Sequence, residues 1–142
     1  MNLLSFPDLN VWRALASPDH EHHATAALWW EQQDGMICFT RFTQLGFLRL
    51  ATTAAAMDGK PYTMARAWEA YDRFYEDERV RFHPDPAEAE ARFRRMASDN
   101  TVSPKLWMDA WLLSSADAAG GVLVTFDKAL ASRGAHCLLS KR

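Results

Sequence analysis

The stretch Val122-Leu123-Val124-Thr125-Phe126-Asp127 decides how this chain folds. Four apolar or β-branched residues follow the pair Gly120-Gly121 and run without a charge, as expected of a strand covered on both faces of a sheet. Asp127 then falls just past the carboxyl end of that strand. Upstream, Ser103-Pro104 supplies an N-cap and a first-turn proline for a helix closed by Gly120-Gly121, and this helix carries Leu106-Trp107-Met108-Asp109-Ala110-Trp111-Leu112-Leu113. The pattern places Asp109 about two turns inside an apolar helix, too deep to cap it. There an ionised carboxylate is costly unless a cation or several hydrogen bonds offset its lost hydration. A salt bridge to a nearby Lys or Arg is the ordinary solution, and a divalent-metal site is the functional one.

The same strand-then-aspartate pattern opens the chain. Leu3 to Phe6 forms a short buried strand, Pro7 enforces an extended approach to Asp8, and Leu9 to Leu15 has helical spacing. Asp19 caps a helix running to about Gln33, where Asp34-Gly35 breaks it before the strand Met36 to Phe39. Thr40 caps the next helix, with Leu45, Leu48 and Thr52 on one face and Phe47 and Leu50 widening it. After the turn Asp58-Gly59-Lys60-Pro61, Thr63 starts a helix presenting Met64, Ala67, Trp68, Tyr71 and Tyr75 on one side. Val80 to Phe82 is a short strand, and Pro84 to Pro86 separates it from a helix with the i,i+4 pairs Glu88 to Arg92 and Glu90 to Arg94. A short helix from Lys128 to Ser132 and a strand from His136 to Leu139 close the chain. Strands alternating with helices predict an α/β fold: three layers, α/β/α, around a central, mostly parallel sheet, in a single domain spanning 1–142. Ligands in such sheets gather outside the carboxyl ends of the strands, where Asp8 and Asp127 are both expected.

At 142 residues and 49% hydrophobic composition the chain can bury a core without disulfide or metal staples. Lys plus Arg total 16 against 18 Asp plus Glu, a net charge of -2, which excludes a global attraction to nucleic acid or anionic membrane. Any phosphate-binding surface must be local, and Arg41, Arg49, Lys105 and Lys128 lie near the acidic motifs in sequence. Cys38 and Cys137 sit in separate apolar stretches, a pattern of buried free thiols that points to a reducing cytoplasm. The first residues lack a basic leader, and no apolar run reaches bilayer-spanning length, so the expectation is a soluble, cytoplasmic protein with no membrane partner.

Taken singly, Asp8 and Asp127 have a plain explanation as helix caps. Taken with Asp109 they make an all-oxygen, fixed-charge donor set suited to Mg²⁺ or Mn²⁺, ions that keep several waters and leave positions for phosphate oxygens. The chemistry of such a site is phosphodiester hydrolysis. Four segments carry a resemblance: Phe6-Pro7-Asp8-Leu9-Asn10-Val11-Trp12, Thr40-Arg41-Phe42-Thr43-Gln44-Leu45-Gly46-Phe47-Leu48-Arg49-Leu50, Leu106-Trp107-Met108-Asp109-Ala110-Trp111-Leu112 and Val124-Thr125-Phe126-Asp127. In order and spacing the chain resembles PIN-domain ribonucleases, specifically VapC-type toxins of prokaryotic toxin–antitoxin pairs, over nearly its whole length. The resemblance implies a PIN-like fold, metal-dependent endoribonuclease activity, often on tRNA or other structured RNA, inhibition by a cognate VapB-type antitoxin, and frequent homodimerisation. It carries Asp8, Asp109 and Asp127 over as acidic metal-site residues.

One departure matters. Many family members place Glu where this chain has Gln44, and a neutral amide adds no negative charge and accepts no proton as carboxylate does. Gln44 is therefore either a support for the site or a polar helix residue without a task. Asn10, one helical step past Asp8, could orient a water, and Thr125 could support Asp127 by hydrogen bonding; a first-turn Asn and simple strand propensity are their ordinary explanations. The cluster His20-Glu21-His22-His23 lacks a second ligand group at zinc spacing. Most of the tryptophans are expected in the core, with Trp68 and Tyr71 the candidates for a partner surface. The competing functions are a PIN-like module that grips RNA or protein without cutting and, more remotely, a phosphoaspartyl protein, for which the second acid next to Asp8 is missing.

Overall fold

The computed structural model describes residues 4–139. Five strands, β1 (Leu4–Pro7), β2 (Met36–Phe39), β3 (Val80–Phe82), β4 (Val122–Thr125) and β5 (His136–Cys137), form one sheet in the order β3-β2-β1-β4-β5. Every pairing in it is parallel, so the sheet is wholly parallel rather than mostly so. Leu3, expected at the start of the first strand, lies outside the described residues, and the last strand stops at Cys137, short of Leu139.

Seven helices accompany the sheet among the described residues: α1 (Leu9–Ala16), α2 (His23–Gln32), α3 (Arg41–Ala51), α4 (Met64–Phe74), α5 (Ala89–Met96), α6 (Leu106–Ala118) and α7 (Lys128–Ala131). Strand alternation sends side chains to two separate cores. Ile37, Phe39 and Val124 pack with Val11, Trp12, Trp29, Phe47 and Tyr71 of α1 to α4 on one face. Phe6, Cys38 and Leu123 pack with Leu113 and Ala116 of α6 and Leu130 of α7 on the other. Near-continuous apolar strands follow from this double cover. The first core centres on Phe39, whose ring stacks on Trp12 with centroids 3.7 Å apart and planes at 9°.

Close approach explains one glycine. A Cβ on Gly121 would lie 2.6 Å from the Leu4 carbonyl oxygen and 2.6 Å from Phe6 Cε2, so β1 and β4 can pair only with glycine there. Gly120, with φ +78°, supplies the left-handed turn that ends α6.

Several local expectations need correcting. Asp19 caps nothing: α2 begins at His23 after a turn in which the His22 N–H donates to His20 Nδ1 at 3.0 Å. On α3 the buried face is Thr43, Gln44, Phe47 and Ala51, while Leu45 is 59% exposed, because apolar residues surround this helix and periodicity alone cannot orient it. On α4, Ala67 and Tyr71 are buried and Trp68 is 47% exposed, so Tyr71 belongs to the core and not to a partner surface. The caps Thr40 and Thr63 are as expected, accepting from Thr43 N–H and Arg66 N–H.

The chain runs outward from β1 to β2 and β3, then returns past β1 to β4 and β5. The order therefore reverses between β1 and β4, and the crevice at their carboxyl ends is the position where open parallel sheets bind ligands.

Candidate functional site

Asp8 and Asp127 stand on the two sides of that crevice. Pro7 ends β1 without an N–H of its own, and the next N–H, that of Asp8, donates to the Val124 carbonyl at 2.9 Å, which pins Asp8 against β4. Asp8 caps α1, with Oδ1 accepting from Val11 N–H at 3.1 Å. Its Oδ2 accepts from the Thr125 hydroxyl at 2.5 Å. The same Thr125 oxygen accepts the Asp127 N–H at 3.0 Å, and Asp127 caps α7 by accepting from Ala129 N–H at 2.9 Å. Thr125, fully buried and 117 positions from Asp8 in sequence, thus ties the two aspartates together. The ordinary explanation, that both aspartates are helix caps, is correct and also incomplete.

Asp109 sits differently from the sequence expectation. Helix α6 begins at Leu106 after Lys105, which offers no side-chain cap, so Asp109 lies in the first turn and not two turns deep. Its flanking Trp107 and Met108 are 57% and 58% exposed, and Asp109 itself is half-buried. Trp107 and Met108 thus form a solvent-facing rim while Ala110 and Leu113 turn into the core, and Asp109 lies at a helix N-terminus, where the dipole favours a carboxylate. Among the described residues no hydrogen bond engages the Asp109 carboxylate, leaving both its oxygens open.

Electrostatics joins the three acids. Burial raises the Asp8 carboxyl above its ordinary value; the bonds from Thr125, Val11 and Asn10 oppose this, and the Asp109 charge adds to it. Burial, then the Asp127 charge, raises Asp109, with Arg133 pulling it back. Asp109 is therefore the shared neighbour, coupled to Asp8 on one side and Asp127 on the other. Among the described residues, no three His, Cys, Asp or Glu side chains converge closely enough as placed to form a ready ion cage. The donor chemistry nonetheless fits a hard divalent cation: carboxylate oxygens only, mutual repulsion that a cation relieves, and an ion class that keeps several waters and needs few direct protein ligands.

The remaining sequence candidates divide. Asn10 is exposed on the first turn of α1, and its backbone N–H faces Asp8. Gln44 is buried on α3 and accepts a hydrogen bond from the Arg41 guanidinium. Lys105 and Lys128 are exposed beside Asp109 and Asp127, and Arg49 is exposed on α3. The histidine cluster brings no metal set together: His23 Nδ1 is bonded to the Ala14 carbonyl at 2.7 Å, while the His20 and His22 rings lie against Phe126. Arg133, in the turn after α7, was not a sequence candidate, although it acts on Asp109; its spacing six residues past Asp127 was the one available signal.

Comparison with known proteins bears on the family and the fold. A family model described as the PIN domain matches residues 5–135. Ribonuclease VapC41 of Mycobacterium tuberculosis, found in two strains, is 38% identical over 133 residues, covering 89% of this chain and 91% of that protein. Among solved structures, Mycobacterium tuberculosis VapC20, a Sarcin-Ricin loop cleaving toxin, superposes with a TM-score of 0.64 at 17% identity, covering 92% of this chain and 95% of that one. VapBC2 from Rickettsia felis, bound to a DNA fragment from their promoter, superposes with a TM-score of 0.64 at 11% identity over 92% of each chain. At these identities the two structures speak for the fold.

Proposed function

This chain belongs to the PIN domain family, and from that footing we propose that it is a divalent-metal-dependent endoribonuclease, the toxin of a toxin–antitoxin pair. The observation that carries the reading is the tie through Thr125 of two aspartates at the β1/β4 switch point, with Asp109 electrostatically coupled to both. Asp8, Asp109 and Asp127 are the residues that would hold Mg²⁺ or Mn²⁺. When bound, the ion supplies a Lewis acid for the phosphoryl oxygens and for the attacking water.

The chain's own residues set the geometry. Thr125 fixes the Asp8 carboxylate by its hydroxyl and Asp127 through its main chain, so two acids from separate strands are oriented by one buried side chain. Asp109, whose carboxylate makes no hydrogen bond among the described residues and is disfavoured by burial and by the Asp127 charge, is the acid a bound cation would stabilise most. Arg133, Lys105 and Lys128 bring positive charge to the rim, where phosphates on either side of the scissile bond would lie.

The substrate class is RNA, with tRNA or another structured RNA as candidates, and the partner is a VapB-type antitoxin. A cleft of about 540 Å³, lined by Trp30, Phe47, Leu50, Tyr62 and Phe74 together with Arg13, Arg73, Glu76 and Asp77 and by none of the three acids, offers that antitoxin a mixed apolar and charged surface. Exposed Met64 and Trp68 on α4 suit a homodimer contact. Among the described residues no helix is long and apolar enough to cross a membrane, and two buried free thiols fit a reducing cytoplasm.

Asp109→Asn tests the reading. The variant should fold and melt like wild type in EDTA, because it removes a charge that burial and Asp127 disfavour. Manganese-dependent RNA cleavage should fall by at least about 100-fold. Undiminished cleavage by the folded variant would remove the mechanism, and RNA binding by wild type without manganese-dependent products would assign a non-cutting module instead.

A further inference from the structure

Arg41 is an exposed cation that the fold holds in place without neutralising it. It is the first residue of α3, where the helix dipole disfavours positive charge and no acid occupies the first turn. Its placement therefore does not serve helix stability. The guanidinium donates to the Gln44 side-chain oxygen and lies 4.7 Å above the centroid of the Phe82 ring. Gln44 is buried at 7% exposure, so its amide cannot swing away, and Phe82 is anchored in β3 opposite Phe39 of β2.

Arg13 and Arg81 donate to main-chain carbonyls and Arg66 lies over the Tyr62 ring, whereas three other arginines are neutralised outright. Arg79, Arg92 and Arg94 each pair with a carboxylate, of Asp77, Asp117 and Glu90. Arg41 is held by a neutral amide and a neutral ring, which restrict its motion and leave its full charge for an outside anion. Gln at position 44 decides this. A Glu there would turn the same contact into an ion pair and cancel the charge.

The location suits a nucleic-acid backbone. Arg41 follows the carboxyl end of β2, the strand next to β1, whose own end carries Asp8. Neighbouring strands lie about 5 Å apart and next-nearest ones about 10 Å, so Arg41 shares the carboxyl end of the sheet with the acids, one strand spacing from Asp8 and two from Asp127.

We propose that Arg41, positioned by Gln44 and Phe82, binds a phosphate of the RNA substrate adjacent to the scissile one, and that Gln44 acts as a positioning residue for this cation and not as a metal ligand. This rests on the endoribonuclease reading for the identity of the anion. Arg41 recognises the phosphodiester and carries no base specificity.

The test is binding of a fluorescein-labelled single-stranded RNA oligomer, followed by anisotropy over a salt series in EDTA, with cleavage of the same RNA in manganese measured separately. Removing one phosphate contact should reduce the slope of log affinity against log salt by about 0.7 in Arg41→Ala. Gln44→Glu should lose a similar amount by pairing the guanidinium, while Arg41→Lys should keep most of the slope. In cleavage, Arg41→Ala should raise KM about tenfold with kcat nearly unchanged. An unchanged slope in folded Arg41→Ala overturns the inference. Wild-type protein that binds RNA with the Arg41-dependent slope and cuts none in manganese would defeat the nuclease reading and leave the phosphate site standing.

Discussion

Thr125→Val removes one hydroxyl and almost nothing else, and that hydroxyl is the link between the two sides of the crevice. In wild type it donates to Asp8 Oδ2 at 2.5 Å and accepts the Asp127 N–H at 3.0 Å. At neutral pH the Asp8 bond is charge-assisted, worth about 1.5–3 kcal/mol, and Val returns part of this by burying a methyl in its place. Asp127 is exposed, so water replaces the acceptor lost to its N–H at little cost. The net loss at pH 7.5 is about 2 kcal/mol, or roughly 6–8 °C in Tm for a chain of this size. The pH dependence has a definite sign. Asp8 titrates above its unfolded value of about 3.9, so in the metal-free protein it makes folding less favourable as pH climbs from that value through the folded one. Without Thr125 the folded value rises further and the penalty widens over the same interval. At pH 4, nearer the value at which Asp8 takes up its proton, the deficit should shrink toward the about 1 kcal/mol of a neutral hydrogen bond. Urea denaturation in EDTA at both pH values measures the difference. A deficit equal at both, or larger in acid, would refute the role given to Thr125.

Gly121→Ala should cost about 3 kcal/mol, read as a lower urea midpoint at unchanged m-value, because the new methyl would meet the Leu4 carbonyl oxygen, a backbone atom held by the β1–β4 pairing; a change under about 0.5 kcal/mol would contradict the close packing. Burial pushes the Cys38 thiol up to about 11, so its reaction with a disulfide reagent at pH 8 in the folded protein should be slower than that of a free thiol by at least about 100-fold, and fast labelling would show that the sheet opens there.

How much of this was legible without coordinates depended on how local each signal was. The β4 strand was readable because Val122 to Thr125 lie between a glycine pair and Phe126-Asp127, and its neighbours in the chain suffice to define it. The pairing of Asp8 with Asp127 at one sheet edge followed from two strands ending in the same way. The Thr125 contact was invisible, since its two ends are 117 residues apart and Thr is equally at home in any strand. Asp109 was placed too deep because Ser103-Pro104 has the chemistry of a helix start, while the regular helix begins only at Leu106. Periodicity does not orient Leu45 or separate Trp68 from Tyr71, because α3 and α4 carry apolar residues on more than one side and tertiary packing, not period, chooses the buried face. Gln44 was noticed for what it is not, a carboxylate; its bond to Arg41 emerged only from the folded helix.

The most direct measurement is isothermal titration of manganese into metal-free protein at pH 7.5, comparing wild type with Asp8→Asn. A carboxylate held at the switch point by Thr125 and coupled to Asp109 predicts a defined binding event in wild type and at least tenfold weaker binding in the variant, a change of about 1.4 kcal/mol or more. Equal affinities in two folded proteins would mean that the acidic crevice is not where the ion binds.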